Sequence, residues 1–173
     1  MTTTNDRRQA IQNELVNVLT GLVSTIQLTG GETPASLAGF VHNRNELPKE
    51  MVPGIILLDG DERMDQRIVP PTPGRLQVKL PTQFMILTPE IYVVLDVRKP
   101  ANLNVGADLN ICRLAILGAI WDDATLQTIV GSNGKITVDA VVSDLARNRV
   151  MQGQLGISIG FHYPLIAAEI IGR

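Results

Sequence analysis

Apolar residues at Ile11, Leu15, Val18, Leu19, Leu22, Val23 and Ile26 recur at the three- and four-residue spacing of one helix face. Asn13, Asn17 and Thr25 fall among the polar positions, so the pattern predicts an amphipathic helix from Arg7 to Gln27. "TGGETPASL" ends it through Gly30, Gly31 and Pro34, and "AGFVHNR" then reads as a short strand before the turn-like "NELPKEMVP". "GIILLD", starting at Gly54, is an unbroken aliphatic run of the kind that forms a strand covered on both faces, and it is expected at the centre of a sheet.

Beyond it the pattern changes. Pro70, Pro71 and Pro73 cannot donate to a ladder, so residues from about 63 to 75 are expected to form a long projecting loop or extended arm. "QVKLPTQFMILTPEIYVVLDVRKP" supplies two or three strand segments, with Pro81 and Pro89 at edges, bulges or corners. "NLNVGADLNICRLAILGAIW" predicts a second helix, capped by Asn104, with Leu109, Cys112, Ile116, Ala119 and Ile120 along one face. A helical turn in "DDATLQTIVGSNG" stops at Gly131, and "KITVDAVVSDL" with "QLGISIGFHYPL" closes the chain as a strand pair.

Composition narrows the class. With 173 residues, 45% of them hydrophobic, the chain can bury one sizeable core, and a single domain is expected. A net charge of -2 provides no general attraction to nucleic acid or to an anionic membrane. An aromatic content of 3% leaves few platforms for stacking single-stranded bases. One cysteine, Cys112, excludes an intrachain disulfide framework and a thiolate zinc cluster. "MTTTNDRRQA" lacks the apolar stretch of a signal peptide, and no apolar run reaches the roughly 18 to 20 residues that span a bilayer, so an intracellular soluble protein is expected.

The chemistry worth weighing begins at Asp59-Gly60-Asp61-Glu62. A calcium loop starting at Asp59 would need a ligand at its fifth position, glycine at its sixth and glutamate at its twelfth; the chain has Arg63, Met64 and Pro70 there. Asp59 and Asp61 remain a conceivable magnesium pair for a metal-dependent enzyme, but no glycine-rich phosphate cradle accompanies them. The simpler reading is a strand leaving the core, with Asp and Gly making the turn. "GISIG", from Gly156, matches a nucleophile-elbow pattern, yet Ser158 lies in an alternating strand and the 13 residues after Gly160 hold no aspartate. His42 and His162 sit in separate strands that could approach one another, but two imidazoles alone make a poor metal site. Cys112 lies on an apolar helical stripe and reads as core. No catalytic residue, metal or cofactor is assigned, and the expected class is non-enzymatic.

The phrases "HNRNELPKEMVPGIILLDGDE" and "TPEIYVVLD", supported by "GSNGKI" and the distant "GQLGISIGFHYP", fall in an order that resembles the tail terminator and neck proteins of long-tailed bacteriophages. The resemblance implies an α/β (α+β) fold, a twisted, mainly antiparallel sheet with two principal helices packed on it and extended loops. It also implies a structural virion protein without an active site: a homohexameric ring that caps the tail tube and docks on the neck. Its partners would be copies of itself, the tail tube protein and a neck or head-completion protein. DNA would pass through the ring without sequence recognition, no membrane would be involved, and the ring would lie at the tail–neck junction of the virion after assembly in the host cytoplasm. A head–tail connector is the neighbouring alternative. On this reading the arm supplies the interaction candidates Arg63, Met64, Gln66, Arg67, Ile68, Val69 and Arg75, with Arg147 and Arg149 as basic residues that a ring would gather into a positive band.

Overall fold

The computed structural model describes residues 6–29, 35–65, 83–96, 105–145 and 152–165. Helix α1 runs Arg7–Thr25, and the side chain of Asp6 caps it by accepting from the Gln9 backbone N–H at 3.2 Å. Ile11, Leu15 and Leu19 are completely buried, so the four-residue spacing seen in the sequence is the face that meets the sheet. The helix stops one turn's fraction short of Gln27, because Ile26 is already extended and carries its side chain into the core.

A small antiparallel ribbon follows, β1 (Gln27–Leu28) with β2 (Ala35–Ser36). Next come β3 (Gly39–His42), a 3-10 turn at Lys49–Met51, and β4 (Gly54–Asp65). The later elements are β5 (Gln83–Asp96), α2 (Val105–Asp122), α3 (Ala124–Val130), β6 (Lys135–Leu145) and β7 (Gln152–Leu165). The main sheet has the order β3-β4-β5-β7-β6; β3 is parallel to β4 and every other pair is antiparallel. This is the mixed α+β architecture expected, with α3 as a third, short helix.

Two expectations change. "GIILLD" is second from an edge, and β5 is the middle strand. Its burial on both faces holds nonetheless: Ile55 and Leu57 lie under the helices, while Ile56, in a row with Val41 and Tyr92, is 5% exposed on the other face. Arg63, Met64 and Asp65 do not begin a loop; they extend β4, paired with Ile86, Met85 and Phe84. Of the segment expected to supply two or three strands, the described part is one strand over Gln83–Asp96 that passes through Pro89, and residues 77–82, with Pro81, and 97–100 lie outside the described residues. Pro89 is tolerated because the ladders on both sides skip it, at the level of a bulge in β4.

All three helices lie against the sheet: α1 over β3 and β4, α2 over β5, β7 and β6, and α3 over β6 and β7. Leu109, Cys112, Ile116 and Ile120 form the buried stripe of α2, whereas Ala119 is half-buried. The Asn104 cap lies outside the described residues. Helix α3 is capped by Asp123, which accepts from Leu126 N–H at 2.6 Å, and it ends at Gly131 with φ 80°, as the sequence indicated.

Candidate functional site

The acidic cluster is built on an irregularity. Leu58 pairs with Glu90 and Asp61 with Thr88, so Asp59-Gly60 places one extra residue on β4. The extra residue inverts the alternation: Ile55 and Leu57 face the helices before it, and Glu62 does so after it. The three carboxylates therefore diverge. Asp59 turns towards β3, exposed Asp61 lies across from Thr88, and Glu62 turns towards the core.

Asp59 is held on several sides. The Asn43 side-chain amide donates to Asp59 Oδ2 at 2.7 Å, Asn43 Oδ1 accepts from the Asp59 backbone N–H at 3.1 Å, and His42 Nε2 lies 2.5 Å from Asp59 Oδ1. Asn43 reaches this position from φ 53°, a left-handed conformation that asparagine tolerates better than most residues, and its own N–H donates to the Leu57 carbonyl at 2.8 Å. Burial alone would raise the Asp59 carboxyl. The hydrogen bonds from Asn43 and His42, with the positive charges of protonated His42 and Arg8, outweigh burial and hold it below its ordinary value.

Glu62 accepts the hydroxyl hydrogen bond of Tyr163, and Arg8 Nη1 of α1 lies 3.8 Å from its other oxygen. Tyr163 is 1% exposed; burial first, and then the Glu62 carboxylate, push its hydroxyl well above the usual range. Among the described residues no trio of His, Cys, Asp and Glu is gathered as a metal centre would require.

A second network lies on the sheet face opposite the helices. His162 Nδ1 is 3.1 Å from Asp65 Oδ2, and its Nε2 is 3.1 Å from Thr137 Oγ1. The Thr137 hydroxyl also lies 2.9 Å from Asp139 Oδ1 and 3.3 Å from the Gly160 carbonyl. Carboxylate, imidazole and hydroxyl thus fall in a line, an order also used to activate nucleophiles. Here the single hydroxyl proton faces two oxygen acceptors besides the imidazole, and the line ties the end of β4 to β7 and β6 across β5. His42 and His162 do not meet: β4 and β5 separate their strands, and each has its own aspartate.

Of the interaction candidates, Arg63 and Met64 lie on β4, and Met64 is 61% exposed. Gln66, Arg67, Ile68, Val69, Arg75, Arg147 and Arg149 lie outside the described residues. Ser158 faces away from the helices between buried Ile157 and Ile159, as the alternation predicted. Cys112 is fully buried; burial foremost, and the charge of Asp108, push its thiol up to about 12. Asp108, Asp65, Thr137 and Asp139 were not singled out in the sequence. Asp108 is buried within α2 and accepts from the Thr29 N–H at 2.8 Å and from its hydroxyl at 3.1 Å, fixing the helix to the end of β1. Its one visible signal was a carboxylate three residues into an otherwise apolar helix start.

No protein-family model matches the chain, and a search of curated proteins found no match.

Proposed function

We propose that this chain is a structural virion protein of a long-tailed bacteriophage: a tail terminator that closes into a homohexameric ring, caps the tail tube and joins it to the neck. The observation that carries the reading is how the two resemblance-bearing phrases fold. "HNRNELPKEMVPGIILLDGDE" runs from the end of β3 through the 3-10 turn into bulged β4, and "TPEIYVVLD" is the part of β5 that pairs with it, so the phrases form one contiguous unit. The acidic residues within that unit act as ties to β3, to Tyr163 and to α1. A ring protein works through its surfaces, and repeated heterologous contacts close into a ring when their rotation is right. The sheet ends at β3 on one side and β6 on the other among the described residues, and strand edges of this kind are open to partners.

The test is to mix the purified chain with tail tubes assembled from the tube protein of the same virion, and to count copies at the tube end by native mass spectrometry and electron microscopy. Six copies in a ring that stops further tube growth is the expected result. A different copy number at the tube end, or tubes that grow on unaltered, overturns the proposal.

A further inference from the structure

The helix layer does not cover the whole sheet. After the bulge at Asp139, Val141 and Ser143 of β6 pair with Ile157 and Leu155, whose side chains are core. Ile157 is 1% exposed, but Val141, one strand further out at the margin of α2, is 39% exposed. Between α2 and β6 runs a groove of about 400 Å³, lined by Leu109, Asn110, Arg113, Val141, Ser143 and Leu155. On the opposite face of β6, Val142 is 64% exposed. Strand edges are commonly guarded by charge or by bulges, and β6 has such guards at Lys135, Asp139 and Asp144. Ala140–Ser143 between them carries none.

The groove also holds an unanswered donor. Arg113 Nε is buried and has no hydrogen-bond partner among the described residues. A guanidinium in a partly desolvated groove is matched by a carboxylate, which can accept two of its N–H groups in parallel.

We infer that the β6 edge and the α2 groove form a docking site for an extended segment of a different protein, which adds as a strand along Ala140–Ser143 and directs a carboxylate side chain to Arg113. An added strand would lie about 4.8 Å beyond β6. Its side chains on the helix side would then continue the rows of Val141 and Ser143 into the groove. Charge disfavours a second copy of this chain as the occupant. The opposite sheet edge, Gly39–His42, carries no carboxylate for Arg113. In an antiparallel pair opposed residues share a face, so a second β6 strand would present Val141 and Ser143 on the helix side, while its Asp139 and Asp144 lie on the other face, away from Arg113. This inference does not depend on the proposed ring.

The test uses fluorescein-labelled nonapeptides of alternating valine and threonine with glutamate, glutamine or lysine at the centre, titrated against the full chain by fluorescence anisotropy. The glutamate peptide is expected to bind about tenfold tighter than the glutamine peptide, with lysine weakest. Arg113→Gln should erase the difference between glutamate and glutamine. Arg113→Lys, which keeps the charge and serves if the first variant is poorly folded, should retain part of it. Val142→Lys, on the exposed face, should weaken all three peptides. Equal affinities for the three peptides, or no binding up to 1 mM, overturns the inference. So does a homodimer in size-exclusion chromatography that Val142→Lys converts to monomer, since the edge would then be filled by a second copy.

Discussion

Gly60 and Thr88 approach so closely that a Cβ on Gly60 would lie 1.8 Å from the Thr88 carbonyl oxygen. Gly60 also has φ 68°, so the bulge depends on glycine twice: once for the left-handed backbone and once for the contact. Gly131 at φ 80° separates these effects, because the nearest atom to its Cβ would be Arg7 Nη1, at 3.5 Å on a flexible side chain. Gly131→Ala is expected to cost about 1 to 3 kcal/mol from backbone strain alone, since φ 80° with ψ 169° is a region held almost only by glycine. Gly60→Ala must in addition force β4 and β5 apart, and is expected to cost more than about 3 kcal/mol or to prevent folding. Urea denaturation of both variants checks the order; equal costs would mean that the β4–β5 contact is easily relaxed.

Asp59 offers a pH signature. Its carboxyl is held below the ordinary value in the folded chain, so the unfolded state binds the proton more readily. The resulting stabilisation is fully present above the unfolded value of about 3.9 and is lost as pH falls through the lower folded value. Asp59→Asn should therefore flatten the acid side of the melting-temperature profile below pH 4. Asp61→Asn, at an exposed position, should change stability by less than about 0.5 kcal/mol. Calorimetric titration with magnesium, calcium and manganese should show no tight binding that a double variant, Asp59→Asn with Asp61→Asn, removes. Tight binding lost in the double variant would return Asp59 and Asp61 to a metal-site reading.

The line through His162 should act as a unit. Asp65 and Thr137 contact opposite nitrogens of one imidazole, so removing either changes what the other can hold. In a double-mutant cycle, Asp65→Asn and Thr137→Val are expected to be non-additive by about 0.5 to 1 kcal/mol. Additivity within about 0.3 kcal/mol would mean that each end is anchored independently of His162.

Where the sequence was readable, the signal was local. Ile11, Leu15 and Leu19 announced α1 because their spacing is set within the helix itself, and Ile55, Ile56 and Leu57 announced a strand because consecutive burial leaves no alternation to misread. The rank of that strand in the sheet was hidden, since β3 reaches it in parallel through a short crossover whose residues look only like a turn. The end of β4 was misplaced for another reason. After the Gly60 bulge, Glu62 faces inward and Asp61 and Arg63 outward, so a charged residue occupies a core-side position and the stretch reads as solvated. Only the distant Tyr163 hydroxyl makes that inward carboxylate intelligible. Asp65, Thr137 and His162 likewise come together through strand order, which no spacing along the chain encodes.

Cys112 should be chemically silent until the chain opens. Its sulfur is fully buried, and its thiol is raised to about 12, so almost no thiolate exists at pH 8 and no reagent reaches it. Reaction with a disulfide reagent such as DTNB is expected to follow global unfolding: very slow in native buffer, and complete within the dead time of mixing in denaturant. The same shift has a stability consequence. A thiol whose folded value exceeds the unfolded value of about 8.5 favours the folded state fully below that pH, and the advantage is lost as pH rises from 8.5 towards 12. Tyr163 is shifted in the same direction, so the parent chain should lose stability in alkali for both reasons. Cys112→Ala isolates the thiol: its melting temperature should fall less steeply with pH over that interval than the parent's. Parallel profiles, or rapid labelling of the native chain, would mean that α2 lifts from the sheet often enough to solvate its buried stripe.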